Sequence, residues 1–108
     1  MGQLGGGGAH AGVDAAVDAS GTTVISLSGE VDISNVAAIG RELEVVLATA
    51  PAVVVLDLCA LTFIDSSGIA LLLRSAGRVE RLELRNPSGL VRRIIQATGL
   101  SDVLVVEP

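Results

Sequence analysis

The chain contains no lysine, tryptophan or tyrosine, and only one phenylalanine, one histidine and one cysteine. With arginine as the sole basic residue, the lysine of a Walker A phosphate clamp and the amine of Schiff-base chemistry are both missing. The single aromatic, Phe63, offers no stacking platform for bases or sugars. His10, the only histidine, lies in a Gly-rich N-terminal stretch, where it cannot build a metal cluster or orient a catalytic triad, so no catalytic residue and no metal site is expected. Cys59 stands alone, which excludes an intrachain disulfide and fits a reducing compartment; its place after an apolar strand suggests a small buried hydrophobe. The longest uncharged apolar stretch, Val45 to Leu56, is interrupted by Pro51 and falls far short of the roughly 20 residues of a membrane helix. No basic flank marks a signal peptide. A cytoplasmic protein without direct membrane insertion is expected. Twelve acidic against seven basic residues give a formal charge of -5, which repels nucleic acid and anionic membranes.

What is present is apolar aliphatic material: half of the 108 residues are hydrophobic, enough for one core and too little chain for two. Residues 1–12, dominated by Gly5 to Gly8, read as a flexible leader, and the domain is expected over 13–108. Alternation over Val13 to Asp18 and Thr22 to Ser28, with Ala19-Ser20-Gly21 between them, predicts a β-hairpin. Val36, Ile39, Leu43, Val46 and Leu47 recur at helical spacing and predict a helix from about Ser34 to Ala48. The continuous run Val53-Val54-Val55-Leu56, in a strand expected over Val53 to Leu58, reads as a central strand covered on both faces, with helices on at least part of each side. A second helix is expected over Ser67 to Arg78, then a strand at Arg81 to Arg85, a third helix to Ala97 and a last strand at Val103 to Val106. The order is ββαβαβαβ, an α/β domain with a mixed sheet.

The segment Asp65-Ser66-Ser67-Gly68 lies where the central strand gives way to the second helix. Asp and Ser there serve as N-caps. The helix N-terminus also favours negative charge, so a phosphate on the Ser67 hydroxyl would be tolerated locally. In projection Ile69, Leu72, Leu73 and Ala76 share a stripe expected to face the sheet, while Ser67, Leu71, Arg74 and Arg78 form another. Leu71 is therefore expected as an exposed apolar side chain beside the hydroxyl, bordered by arginines, which is a docking spot for a protein rather than a catalytic pocket.

The stretch from Asp57 through Leu58-Cys59-Ala60-Leu61-Thr62-Phe63-Ile64 into Asp65-Ser66-Ser67-Gly68 resembles the signature of the STAS family, the bacterial anti-sigma factor antagonists. Gly29-Glu30-Val31-Asp32 is similar to the family's segment before the first helix. The resemblance implies a single STAS-type α/β domain with helices packed mainly on one side. It implies phosphorylation at Ser67, with Asp32, Asp65, Ser66, Ser67, Gly68, Leu71 and Arg74 in the partner-facing region. The unphosphorylated form would bind an anti-sigma factor with serine kinase activity and release a sigma factor, phosphorylation would switch it off, and a serine phosphatase would restore it. Neither cofactor nor nucleic acid is implied. The chain stops at Glu107-Pro108, where family members commonly continue into a terminal helix, so that helix is expected to be missing.

A hydrolase is disfavoured because G-x-S-x-G is lacking and the one histidine is in the leader. A receiver-type phosphoacceptor is disfavoured because it needs a lysine. The alternative within the resemblance is a STAS regulatory subunit of a membrane transporter or lipid-transport ABC system.

Overall fold

The computed structural model describes residues 10–99 and the backbone of 105–107. Its elements are β1 (Ala11–Val17), β2 (Thr23–Val31), α1 (Val36–Leu47), β3 (Val53–Ile64), α2 (Ser66–Ala76), β4 (Arg81–Arg85), α3 (Gly89–Ala97) and β5 (Val105–Glu107). This is the expected ββαβαβαβ order. The strands lie in one sheet in sequence order, with β1 and β2 antiparallel and the remaining neighbours parallel, as a mixed α/β sheet requires. Two boundaries differ from expectation. Ala11 and Gly12, read as leader, pair with Gly29 and Ser28 in the hairpin. The last strand begins at Val105; the expected Val103 and Leu104 positions lie outside the described residues, as do residues 1–9.

The core sits on one face of the sheet. Ile25 and Leu27 of β2, Val54, Leu56 and Leu58 of β3, and Leu82 and Leu84 of β4 alternate along their strands and fall in register, Ile25 beside Leu56 beside Leu84. All three helices contribute to this same cluster, through Ile39, Leu43 and Leu47, through Ile69, Leu71 and Leu72, and through Val91 and Ile95. The expectation of helices on part of each side is thus not met. The continuous run in β3 has a local reason instead: Val55 points to the other face, yet is only 2% exposed, flanked in register by Val24 and Glu83.

The strand expected to end at Leu58 continues as β3 through the next six residues to Ile64. The cause is visible in the register with β2. Between the pairs Ser26–Asp57 and Ser28–Ala60, and again between Gly29–Leu61 and Glu30–Phe63, β3 advances one residue further than β2. Two bulges interrupt the two-residue alternation, so that buried positions run Leu58, Leu61, Ile64. Cys59 lies at the first bulge and is exposed, not buried, with its N–H donating to Asp57 Oδ1 at 3.0 Å. Gly29, beside the second bulge, has φ +81, and a Cβ there would lie 2.0 Å from the His10 carbonyl oxygen. Only glycine allows β1 to start against this point.

Helix α2 is rotated about its axis relative to the expected stripe. Gly68, Ile69, Leu71, Leu72 and Ser75 are buried, whereas Leu73 is 41% exposed. Leu71, expected on the surface, is 7% exposed because α2 packs against α1 as well as the sheet: a Cβ on Gly40 of α1 would lie 3.4 Å from Leu71 Cδ1. Ser75 is tolerated inside because its Oγ donates to the Leu71 carbonyl at 2.9 Å. Placing a carboxylate at position 71 therefore buries a charge in the α1–α2 seam. Leu71→Glu is expected to lower stability by at least about 3 kcal/mol, a fall of roughly 12 °C or more in melting temperature, measurable by thermal denaturation followed by circular dichroism.

Candidate functional site

The ends of β2 and β3 run side by side, with Val31 paired to Ile64. The next residue on β3 prolongs the ladder, since the Asp65 N–H donates to the Val31 carbonyl at 3.1 Å. Asp65 then turns the chain into α2 as its N-cap. Its Oδ1 accepts from the N–H groups of Ser67 and Gly68 at 2.9 and 3.2 Å, two donors that have no partner within the helix. The same oxygen accepts from the Ser67 hydroxyl at 2.6 Å. Oδ2 reaches the other way and accepts from the Ile33 N–H at 3.1 Å. One carboxylate thus ties the β2–α1 turn to the first turn of α2. Donated hydrogen bonds favour the ionised form: the Ser67 side chain above all, opposed by partial burial and helped by the Gly68, Ile33 and Ser67 N–H groups, holds Asp65 below the usual carboxylate value of 3.8.

The β2–α1 turn is built by a second carboxylate. Asp32 Oδ1 accepts from the Ser34 N–H at 2.9 Å and from the Ser34 hydroxyl. The Asp32 N–H donates to Asn35 Oδ1 at 3.0 Å, while Asn35 Nδ2 donates to the Glu30 carbonyl at 2.8 Å. These bonds tie the polar residues of the turn to one another and to the β2 backbone, while the Ile33 side chain is 77% exposed. Gly68 sets how closely α2 can approach. A Cβ there would lie 2.5 Å from Ile64 Cγ1 and 3.0 Å from Val31 Cγ1, so a side chain would push the helix N-terminus off the strand ends.

Of the residues singled out in sequence, Asp32, Asp65, Ser66, Ser67 and Gly68 come together at one end of the sheet. Ser66 is exposed and Ser67 half-buried, its oxygen outside the core cluster. Leu71 and Arg74 lie further along α2, Leu71 buried and Arg74 exposed. A strongly exposed apolar residue tied to this end of the sheet through its N–H bond to Asp65 is Ile33, which sequence reasoning misses; its signal is an apolar residue inside the turn-forming run Asp32-Ile33-Ser34-Asn35. Among the described residues no group of His, Cys, Asp or Glu could hold a metal ion, and no helix is long and apolar enough to cross a membrane.

The Asp65 cap has a pH signature. Because its folded-state value is depressed, the stability it contributes is present above about pH 4 and is lost as pH falls through the folded-state value. Asp65→Ala is expected to cost about 1 to 2 kcal/mol at pH 7, and denaturant titrations across pH should show the gap between variant and parent closing below about pH 4.

The fold has counterparts among known proteins. A family model described as Mlab, STAS domain, matches residues 15–107. An anti-sigma factor antagonist from Mycobacterium paratuberculosis superposes with a TM-score of 0.84 at 26% identity, over 92% of this chain and 86% of that one. The anti-sigma factor antagonist SpoIIAA in its unphosphorylated form gives 0.73 at 28% identity, over 90% and 89%. The Bacillus cell fate determinant SpoIIAA in its phosphorylated form gives 0.65 at 27%, over 90% and 92%. No curated protein matches the sequence significantly. With the family model spanning nearly all of the sheet and helices, and this architecture shared with antagonist structures, the chain belongs to the STAS domain family.

Proposed function

We propose that the protein is an anti-sigma factor antagonist, without enzymatic activity, whose unphosphorylated form binds an anti-sigma factor with serine kinase activity and so releases a sigma factor. Phosphorylation of Ser67 turns it off and a serine phosphatase restores it. The observation that carries the reading is the Ser67 hydroxyl held at the N-terminus of α2 by Asp65, on a fold shared with antagonists of which one is known in a phosphorylated form. A partner surface then comprises Asp32, Asp65, Ser66, Ser67 and Gly68, with Ile33 as the apolar contact in place of Leu71.

The chemistry of the cap supports a switch. Esterification removes the proton that Ser67 donates to Asp65 and puts about 1.5 to 2 negative charges beside that carboxylate. Helix N–H groups favour the phosphate while Asp65 repels it, so the carboxylate must yield its place or the phosphate must point outward, toward the partner. A loss of about 4 kcal/mol lowers affinity roughly a thousandfold, within the reach of one desolvated, poorly paired charge. No refolding is needed.

The family model's own description leaves a second reading in place, that of a STAS regulatory subunit of a membrane transporter or lipid-transport ABC system. Co-purification separates the two: an ATP-binding anti-sigma factor supports the first, a membrane ATPase the second.

Phosphopeptide mass spectrometry of the protein taken from its own cells is expected to find one phosphate, on Ser67, and none after Ser67→Ala. Phosphate on Ser66, or persisting in the variant, overturns the assignment. Ile33→Asp is expected to weaken binding to the anti-sigma factor at least tenfold with little change in melting temperature, since the side chain lies outside the core; calorimetric titration and thermal denaturation read the two quantities.

A further inference from the structure

A groove of about 670 Å³ runs between α1 and α2, floored by Leu71 and Gly40. Its charged lining is Arg41, Arg74 and Arg78 against the single carboxylate of Glu44. Three of the seven basic residues of an acidic protein are therefore gathered in one place. Glu44 is already engaged, accepting from Arg78 Nη1 at 2.6 and 2.7 Å. Among the described residues neither Arg41 nor Arg74 has an ion-pair partner. Two unneutralised guanidinium groups facing the same open groove make its local potential positive, attracting carboxylates against the net charge of the whole chain.

We infer that the α1–α2 groove receives an acidic segment of the protein partner, with Arg41 and Arg74 pairing to its carboxylates. The inference rests on the reading that a protein docks around Ser67 and deepens it. Arg74 follows Ser67 on α2 by seven residues, about 10 Å along the axis, so one partner spans both. The groove extends along α1 from Val36 to Leu47 and along α2 from Leu71 to Ser75, reaching Arg78 just beyond the helix end, a length suited to a helix or extended peptide. It contains no aromatic side chain to stack a nucleotide base and no glycine-rich loop to cradle phosphates. Guanidinium groups suit bidentate pairing with carboxylates.

The test uses a labelled Glu/Ala helical peptide of about 20 residues, long enough to hold helical structure in water, its Gln/Ala counterpart, and ATP, each titrated into the isotope-labelled protein. The Glu peptide is expected to shift the amide resonances of Gly40, Arg41, Leu71, Arg74 and Ser75, with affinity that falls as salt rises, while the Gln peptide does not. Arg41→Gln/Arg74→Gln is expected to weaken it at least tenfold with an unaltered melting temperature, and Arg74→Lys, which keeps the charge but not the bidentate fork, to fall between the parent and Arg74→Gln. Shifts located elsewhere, equal binding of both peptides, or an unaffected double variant overturn the proposal; ATP occupying the groove where the Glu peptide does not also overturns it, in favour of a small anion. The two readings fail separately. A Ser67 that carries no phosphate in cells ends the switch while peptide shifts in the groove stand, and a silent groove with phosphorylated Ser67 ends only the acidic segment.

Discussion

The arrangement depends on the Asp65 carboxylate. One oxygen gathers the orphan donors at the start of α2 and the hydroxyl of Ser67; the other fastens the turn before α1 through Ile33. Two loops distant in sequence are thereby held as one surface by a single ionised group. An ionised acceptor makes each of these hydrogen bonds stronger than a neutral one would. The same dependence makes the surface sensitive to charge, because a dianion on Ser67 competes with Asp65 for the helix N–H groups that both would use.

The sheet delivers that carboxylate. Two bulges bend β3 relative to β2 and bring Ile64 beside Val31, so that Asp65 emerges at the strand ends rather than over the core. Glycine then lets the elements close: Gly29 where β1 starts against β2, and Gly68 where α2 meets Ile64 and Val31. With every helix contributing to one cluster on one face, α2 is anchored by Ile69, Leu71 and Leu72. Its N-terminus is a rigid platform for the Ser67 hydroxyl, as close packing of aliphatic side chains resists displacement.

Along the exposed side of α2 the character changes within about two turns. Near Ser67 lie the carboxylates of Asp65 and Asp32 and the exposed Ile33; toward Arg74 and Arg78 the surface becomes basic. A surface of alternating charge discriminates among partners and fixes their orientation better than a uniform one. Under the proposed switch the acidic end is also the end whose charge would change on phosphorylation, while the basic end would stay constant.

Order and type of the elements were legible in the chain, because hydrophobic periodicity and turn residues report them locally; so was the cap, since Asp65-Ser66-Ser67-Gly68 acts through bonds spanning three residues. The family signature lay in the same contiguous stretch. What could not be read there were properties set by neighbours remote in sequence. Bulges erased the alternation of β3 after Asp57, and they exist only relative to β2. Whether Leu71 or Leu73 faced inward depended on α1 lying against α2, for a helix with apolar residues at both positions satisfies either rotation until a second helix covers one of them. Composition and local pattern determined the elements and the serine at the helix mouth; only the tertiary packing decided which side chains surround it, since exposure is a property of what lies alongside and not of the residue itself.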